Sequence, residues 1–194
     1  ARDGIEPEEL DDPSLDVVIP GELTTAHLLL KLHSPGFEAA DERVFDEIMP
    51  EVSDGVYDAG LVIHEGRFTY DGYGLEKVLD LGEWWESETG RPVPLGGIVA
   101  RRDIGVDADD VENAIRRSVE HARDNPEASR EYVREHAQEM DDEVIERHID
   151  LYVNDYSIEM GDEGVGAVDE LLRRGRDVGA LPASDESVLA TSDE

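Results

Sequence analysis

The 194-residue chain carries 50 Asp and Glu against 17 Lys and Arg, a net charge of −33, with 39% hydrophobic residues and no cysteine. That length and apolar content support a sizeable core inside an acidic coat, and the charge repels nucleic acid and anionic membranes, excluding both as partners. Without cysteine there are no disulfides, thiolate metal sites or cysteine nucleophiles, and no apolar run nears the ~18 residues of a membrane span.

Only Lys31 and Lys77 are lysines, so arginine supplies nearly all the positive charge. Acid excess with lysine nearly absent reads as halophilic adaptation, in which counterions screen self-repulsion.

In chain order, residues 1–14 are polar and acidic and read as a surface lead-in. Leu15 to Pro20 is a short strand stopped by Pro20-Gly21, and the almost wholly apolar Leu23 to Leu32 is a buried helix. Thr24 and Thr25 stand at its start, where backbone N–H groups and two hydroxyls suit a carboxylate or phosphate. The plainer reading is that one threonine caps the helix.

Val44, Phe45, Ile48, Met49 and Val52 have helical spacing, with Pro50 keeping the helix short. In Asp58-Ala59-Gly60-Leu61-Val62-Ile63-His64-Glu65-Gly66 an apolar run then reads as a strand that ends abruptly on His64-Glu65-Gly66. Ligands of open α/β sheets bind outside the carboxyl ends of strands, and imidazole titrates nearest neutral pH, so His64 is a candidate proton-transfer group. It could equally cap the strand end and hydrogen-bond a loop.

Phe68 to Gly74 is an aromatic, glycine-rich stretch suited to a ligand-facing or plainly packed loop. Trp84 and Trp85 fall in a short helix ended by Gly90 and read as core, while Pro94 to Arg101 reads as a second buried strand. Helices follow around Val111–Ala122, Ser129–Met140 and Val144–Tyr152, and a last one after Gly161–Gly164. His121, His136 and His148 lie on these helices without ligand spacing, so no metal is expected. There is no P-loop, GxGxxG, GxSxG or HExxH pattern.

Several stretches occur in an order that identifies a family. They are Pro20-Gly21-Glu22-Leu23-Thr24-Thr25-Ala26, Phe45-Asp46-Glu47-Ile48-Met49, Asp58-Ala59-Gly60-Leu61-Val62-Ile63-His64-Glu65 and Phe68-Thr69-Tyr70. Asp80-Leu81-Gly82-Glu83-Trp84-Trp85, Pro94-Leu95-Gly96-Gly97-Ile98, His136-Ala137-Gln138-Glu139-Met140 and His148-Ile149-Asp150-Leu151-Tyr152-Val153-Asn154 continue the order. Together they resemble the 1,4-dihydroxy-6-naphthoate synthase family of the futalosine pathway of menaquinone biosynthesis, in a haloarchaeal-type version, from about Leu15 to about Leu172.

The resemblance implies an α/β fold like that of type II periplasmic binding proteins, two lobes with a ligand cleft. It implies a cytoplasmic lyase, free of cofactor and metal, that converts the small-molecule substrate cyclic dehypoxanthine futalosine to 1,4-dihydroxy-6-naphthoate. His64 falls on the family's catalytic proton acceptor, and Thr24 and Thr25 fall on its substrate-binding pair. Family members carry roughly another lobe's worth of chain before the position of Leu15, so the N-terminal portion of the first lobe is expected to be absent. The expected organisation is a lead-in at 1–14, a middle α/β lobe at 15–102, a helical return to the first lobe at 103–182, and a disordered acidic tail at 183–194. The alternative is a non-catalytic solute-binding protein of the same fold that recognises a carboxylate ligand. The oligomeric state stays open.

Overall fold

The computed structural model describes residues 1–184 apart from positions 3, 40, 102, 104, 106 and 137–140. The described part is α/β, with one small parallel sheet and mostly helices. It divides into two compact units, the first made of Ala1–Pro94 and Ala167–Ala183, the second of Leu95–Gly166 with Ser184.

The first unit is built on β1 (Val17–Ile19), whose three β-branched residues are all buried. β2 (Asp41–Glu42) and β3 (Ala59–Gly60) pair with it in parallel on either side, giving the order β2-β1-β3. A central strand covered on both faces reads as an unbroken apolar run, which is how Val17-Val18-Ile19 appears in the sequence. The register places Val18 opposite Asp41 and Gly60, and Ile19 opposite Glu42.

Parallel neighbours need crossovers. α1 (Thr25–His33) joins β1 to β2, and α2 (Phe45–Ser53) joins β2 to β3. The strand's alternation sends Val17 and Ile19 into a cluster with Leu30 of α1, Phe37 and Leu61, and Val18 into a second with Ile48, Met49 and Val52 of α2. Residue 60 is glycine because a Cβ there would lie 2.5 Å from Ile48 Cγ2 and 3.0 Å from Val52 Cγ2. The missing methyl lets α2 seat directly on β3.

β3 is shorter than its apolar sequence suggests. Leu61 N donates to Val18 O at 2.9 Å, and regular pairing goes no further. The partner strand runs into Pro20, which has no N–H, so Val62 and Ile63 find no ladder to join. After the turn at 64–65 the chain enters α3 (Gly66–Thr69) and a 3-10 turn over Tyr70–Tyr73, where the sequence suggests a loop.

α4 (Leu81–Thr89) is capped by Asp80, whose carboxylate accepts from Gly82 N and Glu83 N, and ends on Gly90 at φ +66°. It buries Trp85 completely against Leu29 of α1 and Leu171, and Trp85 Nε1 donates to Pro92 O at 3.1 Å. Leu171 belongs to α8 (Gly161–Asp177), whose residues from Ala167 onward lie in the first unit. Within residues 1–14, Leu10 is buried in the β1 core.

The second unit opens on Leu95–Ala100, the middle of the Pro94–Arg101 stretch expected as a buried strand, and that stretch has no strand structure. Ile98 is 75% and Val99 92% exposed. The correction has a simple cause. A strand needs a neighbour for its N–H and C=O groups, and among the described residues none runs alongside this segment. α5 (Ala108–Asp124), α6 (Glu127–His136) and α7 (Asp142–Tyr152) follow, and none fully buries a described side chain. His148 stacks on Tyr152, and the ring of His136 packs beside Tyr132. Positions 137–140 of the expected second helix and 185–194 of the expected tail lie outside the described residues.

Candidate active site

In the order β2-β1-β3, α1 leaves the carboxyl end of β1 over one face of the sheet, and α2 crosses back over the other face to reach β3. The carboxyl ends of β1 and β3 therefore flank a topological switch point, where open parallel sheets leave a crevice between diverging connections. The two sequence candidates follow these two strands: Thr24-Thr25 follow β1 and His64 follows β3.

On the β1 side, Gly21 takes φ +152°, a backbone that side chains disfavour, and turns the chain into α1. Thr24 is the N-cap. Its Oγ1 accepts from His27 N at 3.2 Å and donates to Gly21 O at 2.9 Å. The capping reading of the pair therefore holds for Thr24, whose hydroxyl is engaged within its own turn. Thr25 is the first helical residue, and among the described residues no hydrogen bond engages its hydroxyl. Beside the pair, Leu23 is wholly exposed.

On the β3 side, His64 is half-buried at φ +57°, the one non-glycine residue with positive φ among those described. The left-handed region costs an L-residue about 1–2 kcal/mol, and strain of this kind persists where surrounding structure enforces it. The enforcement is visible on both sides of the turn. The ring of Phe45, first residue of α2, meets the imidazole edge to face, with centroids 4.9 Å apart and planes at 69°. Gly66 is closed in by Val62 and by Met49, whose Cε and Sδ lie 3.3 and 3.6 Å from where a Cβ would be. Arg67 anchors the following helix to Asp80 at 3.1 Å.

Two features escape a sequence reading. His27, a polar residue inside an apolar run, is buried, and its Nδ1 lies 3.0 Å from Glu22 O. A carbonyl only accepts, so Nδ1 carries the proton, and Nε2 meets no partner among the described residues. His27 lines a cavity of about 320 Å³ with Ile19, Lys31, Phe37 and Asp41, on the β1–β2 side of the sheet. That cavity contains neither threonine nor His64, so it lies apart from the switch point. The second feature is Phe45, whose apolar spacing marks it only as helix core. A cavity of about 250 Å³ in the second unit lies between α6 and α7.

Electrostatics near the sheet centre on Arg43. It pairs with Asp41 at 3.3 Å and Glu51 at 3.2 Å and lies over the Tyr57 ring, while Tyr57 Oη donates to Asp41 at 2.8 Å. Removal from water raises the Tyr57 pKa, and the hydrogen bond to Asp41 adds to the rise, so the phenol stays protonated. Among the described residues no three His, Asp or Glu side chains form a group suited to a metal ion. No helix there is long and apolar enough to cross a membrane.

The sequence profile of a menaquinone biosynthesis family matches residues 5–177. The chain is 50% identical over 182 residues to a protein of Streptomyces coelicolor named 1,4-dihydroxy-6-naphtoate synthase, covering 90% of this chain and 64% of that one. It is likewise 50% identical over 160 residues to a protein of the same name from Thermus thermophilus, covering 81% and 58%. An Archaeoglobus fulgidus protein solved by X-ray crystallography superposes with a TM-score of 0.84 at 37% identity, covering 93% of this chain and 67% of that structure. The chain thus spans less than two thirds of the length of the two named relatives. With the match extending over most of its residues, it belongs to the menaquinone biosynthesis family.

Proposed function

We propose that the protein is a cytoplasmic lyase that cleaves cyclic dehypoxanthine futalosine to 1,4-dihydroxy-6-naphthoate, with His64 as the base. The observation that carries this reading is the placement of His64 and the threonine pair after the two strands that flank the switch point. The relatives' names supply the product, and the substrate and its cleavage come from the family resemblance.

In this assignment Thr24 acts chiefly as the cap that shapes the α1 N-terminus. The substrate carboxylate meets the first amides of α1 and the Thr25 hydroxyl. His64 then takes a proton as the cyclic substrate fragments. Edge-to-face packing and the left-handed backbone hold its ring in place for that transfer.

The assignment also places the fold among two-lobed, type II periplasmic-binding-protein-like structures, with residues 15–102 as a middle lobe and 103–182 as a helical return. The exposed Ile98 and Val99 and the open faces of α5 to α7 support it, as surfaces that the remainder of such a fold would cover.

The test is release of 1,4-dihydroxy-6-naphthoate by the full natural protein in molar KCl. A positioned general base contributes about 10²–10⁴ in rate, so His64→Asn lowers turnover at least about 10²-fold with KM within a few-fold. Thr25→Val mainly raises KM. Wild-type turnover in His64→Asn removes the base assignment, and carboxylate binding with no naphthoate release indicates a solute-binding protein instead.

A further inference from the structure

We propose that Phe45 is the positioning residue of His64, holding the imidazole in its proton-accepting orientation; this rests on the reading of His64 as the base. A histidine on a turn has two side-chain torsions to settle, and the strained backbone of residue 64 fixes only where its Cβ points. The ring is oriented by the walls it packs against. Phe45 provides one, with centroids 4.9 Å apart and planes at 69°, the edge-to-face arrangement in which an aromatic pair has a preferred geometry.

The wall is itself rigidly mounted. Phe45 is the first residue of α2, and one turn on, Met49 closes against Gly66 at the far end of the same turn. α2 therefore grips residues 64–66 at two points on one helical stripe. The same face is locked to the sheet by Ile48 and Val52, each 1% exposed, and the absence of a side chain at Gly60 lets it sit on β3. Phe45 is thus tied to β3, which leads into the His64 turn, and both groups share one rigid frame.

Such a wall acts on turnover rather than on substrate affinity. A small misplacement of a reacting group costs up to about 10²-fold in rate, and a loss felt only in the transition state appears in kcat rather than in KM.

The experiment pairs Phe45→Leu, which keeps apolar volume and removes the ring, with Phe45→Tyr, which keeps the ring. Phe45→Leu lowers kcat about tenfold with KM within about threefold, and Phe45→Tyr stays within about twofold of wild type. In the His64→Asn background Phe45→Leu costs nothing further, because the group it positions is gone. On the 194-residue chain, the imidazole proton resonances of His64 move in Phe45→Leu and stay in Phe45→Tyr, while the amides of β1 keep their positions. Should Phe45→Leu fail to fold, Phe45→Met carries the same comparison.

Equal loss of turnover in the wild-type and His64→Asn backgrounds overturns the proposal, as does full turnover in Phe45→Leu with His64→Asn impaired. If His64→Asn itself turns over at the wild-type rate, the base reading and the positioning role fall together.

Discussion

α4 and α5 make an instructive pair. α4 has nine residues and buries Trp85 completely, whereas α5 has 17 residues, an aspartate cap and a regular apolar stripe, yet fully buries none of its side chains. By length α5 is the better helix. What α4 has is a partner on each side, Leu29 of α1 and Leu171 of α8. The same contrast runs through the two units. The first is held by apolar clusters on both faces of a sheet. The second leans on ion pairs at its surface: Arg123 with Asp155, Arg130 with Glu146, Arg134 with Asp142. Exposed pairs of this kind contribute about 0–1 kcal/mol each, so regular secondary structure and stability part company here.

Hydrogen exchange offers the largest effect by which to break this contrast. Amides of Val17–Ile19 should be protected at least about 10³-fold more than those of α6, because the first open only with the core and the second open locally. Equal protection would show that the second unit has a core of its own. Truncation gives the next largest difference. Trp85→Ala should cost about 3–5 kcal/mol, by the usual penalty for emptying a packed aromatic site. Ile149→Ala, at a position already 40% exposed, should stay within about 0.5 kcal/mol. A large loss from Ile149→Ala, read from denaturant melts, would place a packed core in α7.

Salt sharpens the comparison further. At a net charge of −33 the carboxylates repel one another over a Debye length of about 30 Å at 0.01 M salt, but only about 3 Å at 1 M. Dilution from about 2 M to about 0.05 M KCl should melt the second unit first and the first unit later. Unchanged circular dichroism over that range removes the halophilic reading.

The smallest expected effect belongs to Glu170 in the first unit. Hydrogen bonds from Arg173 and Arg174 lower its pKa to about 2. A carboxylate depressed in the folded state stabilises fully above its unfolded value near 4.5, and that contribution fades as pH falls through about 2. Glu170→Gln should therefore melt slightly below wild type at neutral pH, and the gap should close as pH approaches 2. A gap that persists unchanged at pH 2 assigns the effect to packing.

Elements with local signals are legible in the sequence. β1 announces itself by three β-branched residues before Pro20, α1 by its threonine cap, and α4 by Asp80 and Gly90 at its ends. His64 and the threonine pair stand out because a reactive side chain follows an apolar run. What stays hidden depends on neighbours. The β2 pair Asp41–Glu42 is exposed and polar, and it is a strand only because Val18 and Ile19 lie alongside. Leu95–Ala100 shows the converse, an apolar run that has no strand beside it among the described residues to complete its hydrogen bonds. Nor could Phe45 be told from ordinary core, since its partner lies across a crossover in the chain.

The first unit is also discontinuous, closed by a helical segment from the far side of residues 95–166. During synthesis Trp85 emerges from the ribosome well before Leu171, the residue that completes its packing. At translation speeds of about 5–20 residues per second, the interval is on the order of 10 s. Throughout it the nascent chain presents an uncovered tryptophan and the apolar flank of α1 to chaperones and to neighbouring copies of itself. Mutual repulsion between these acidic chains works against such encounters, so the same surface charge that burdens the finished fold at low salt shields the unfinished one.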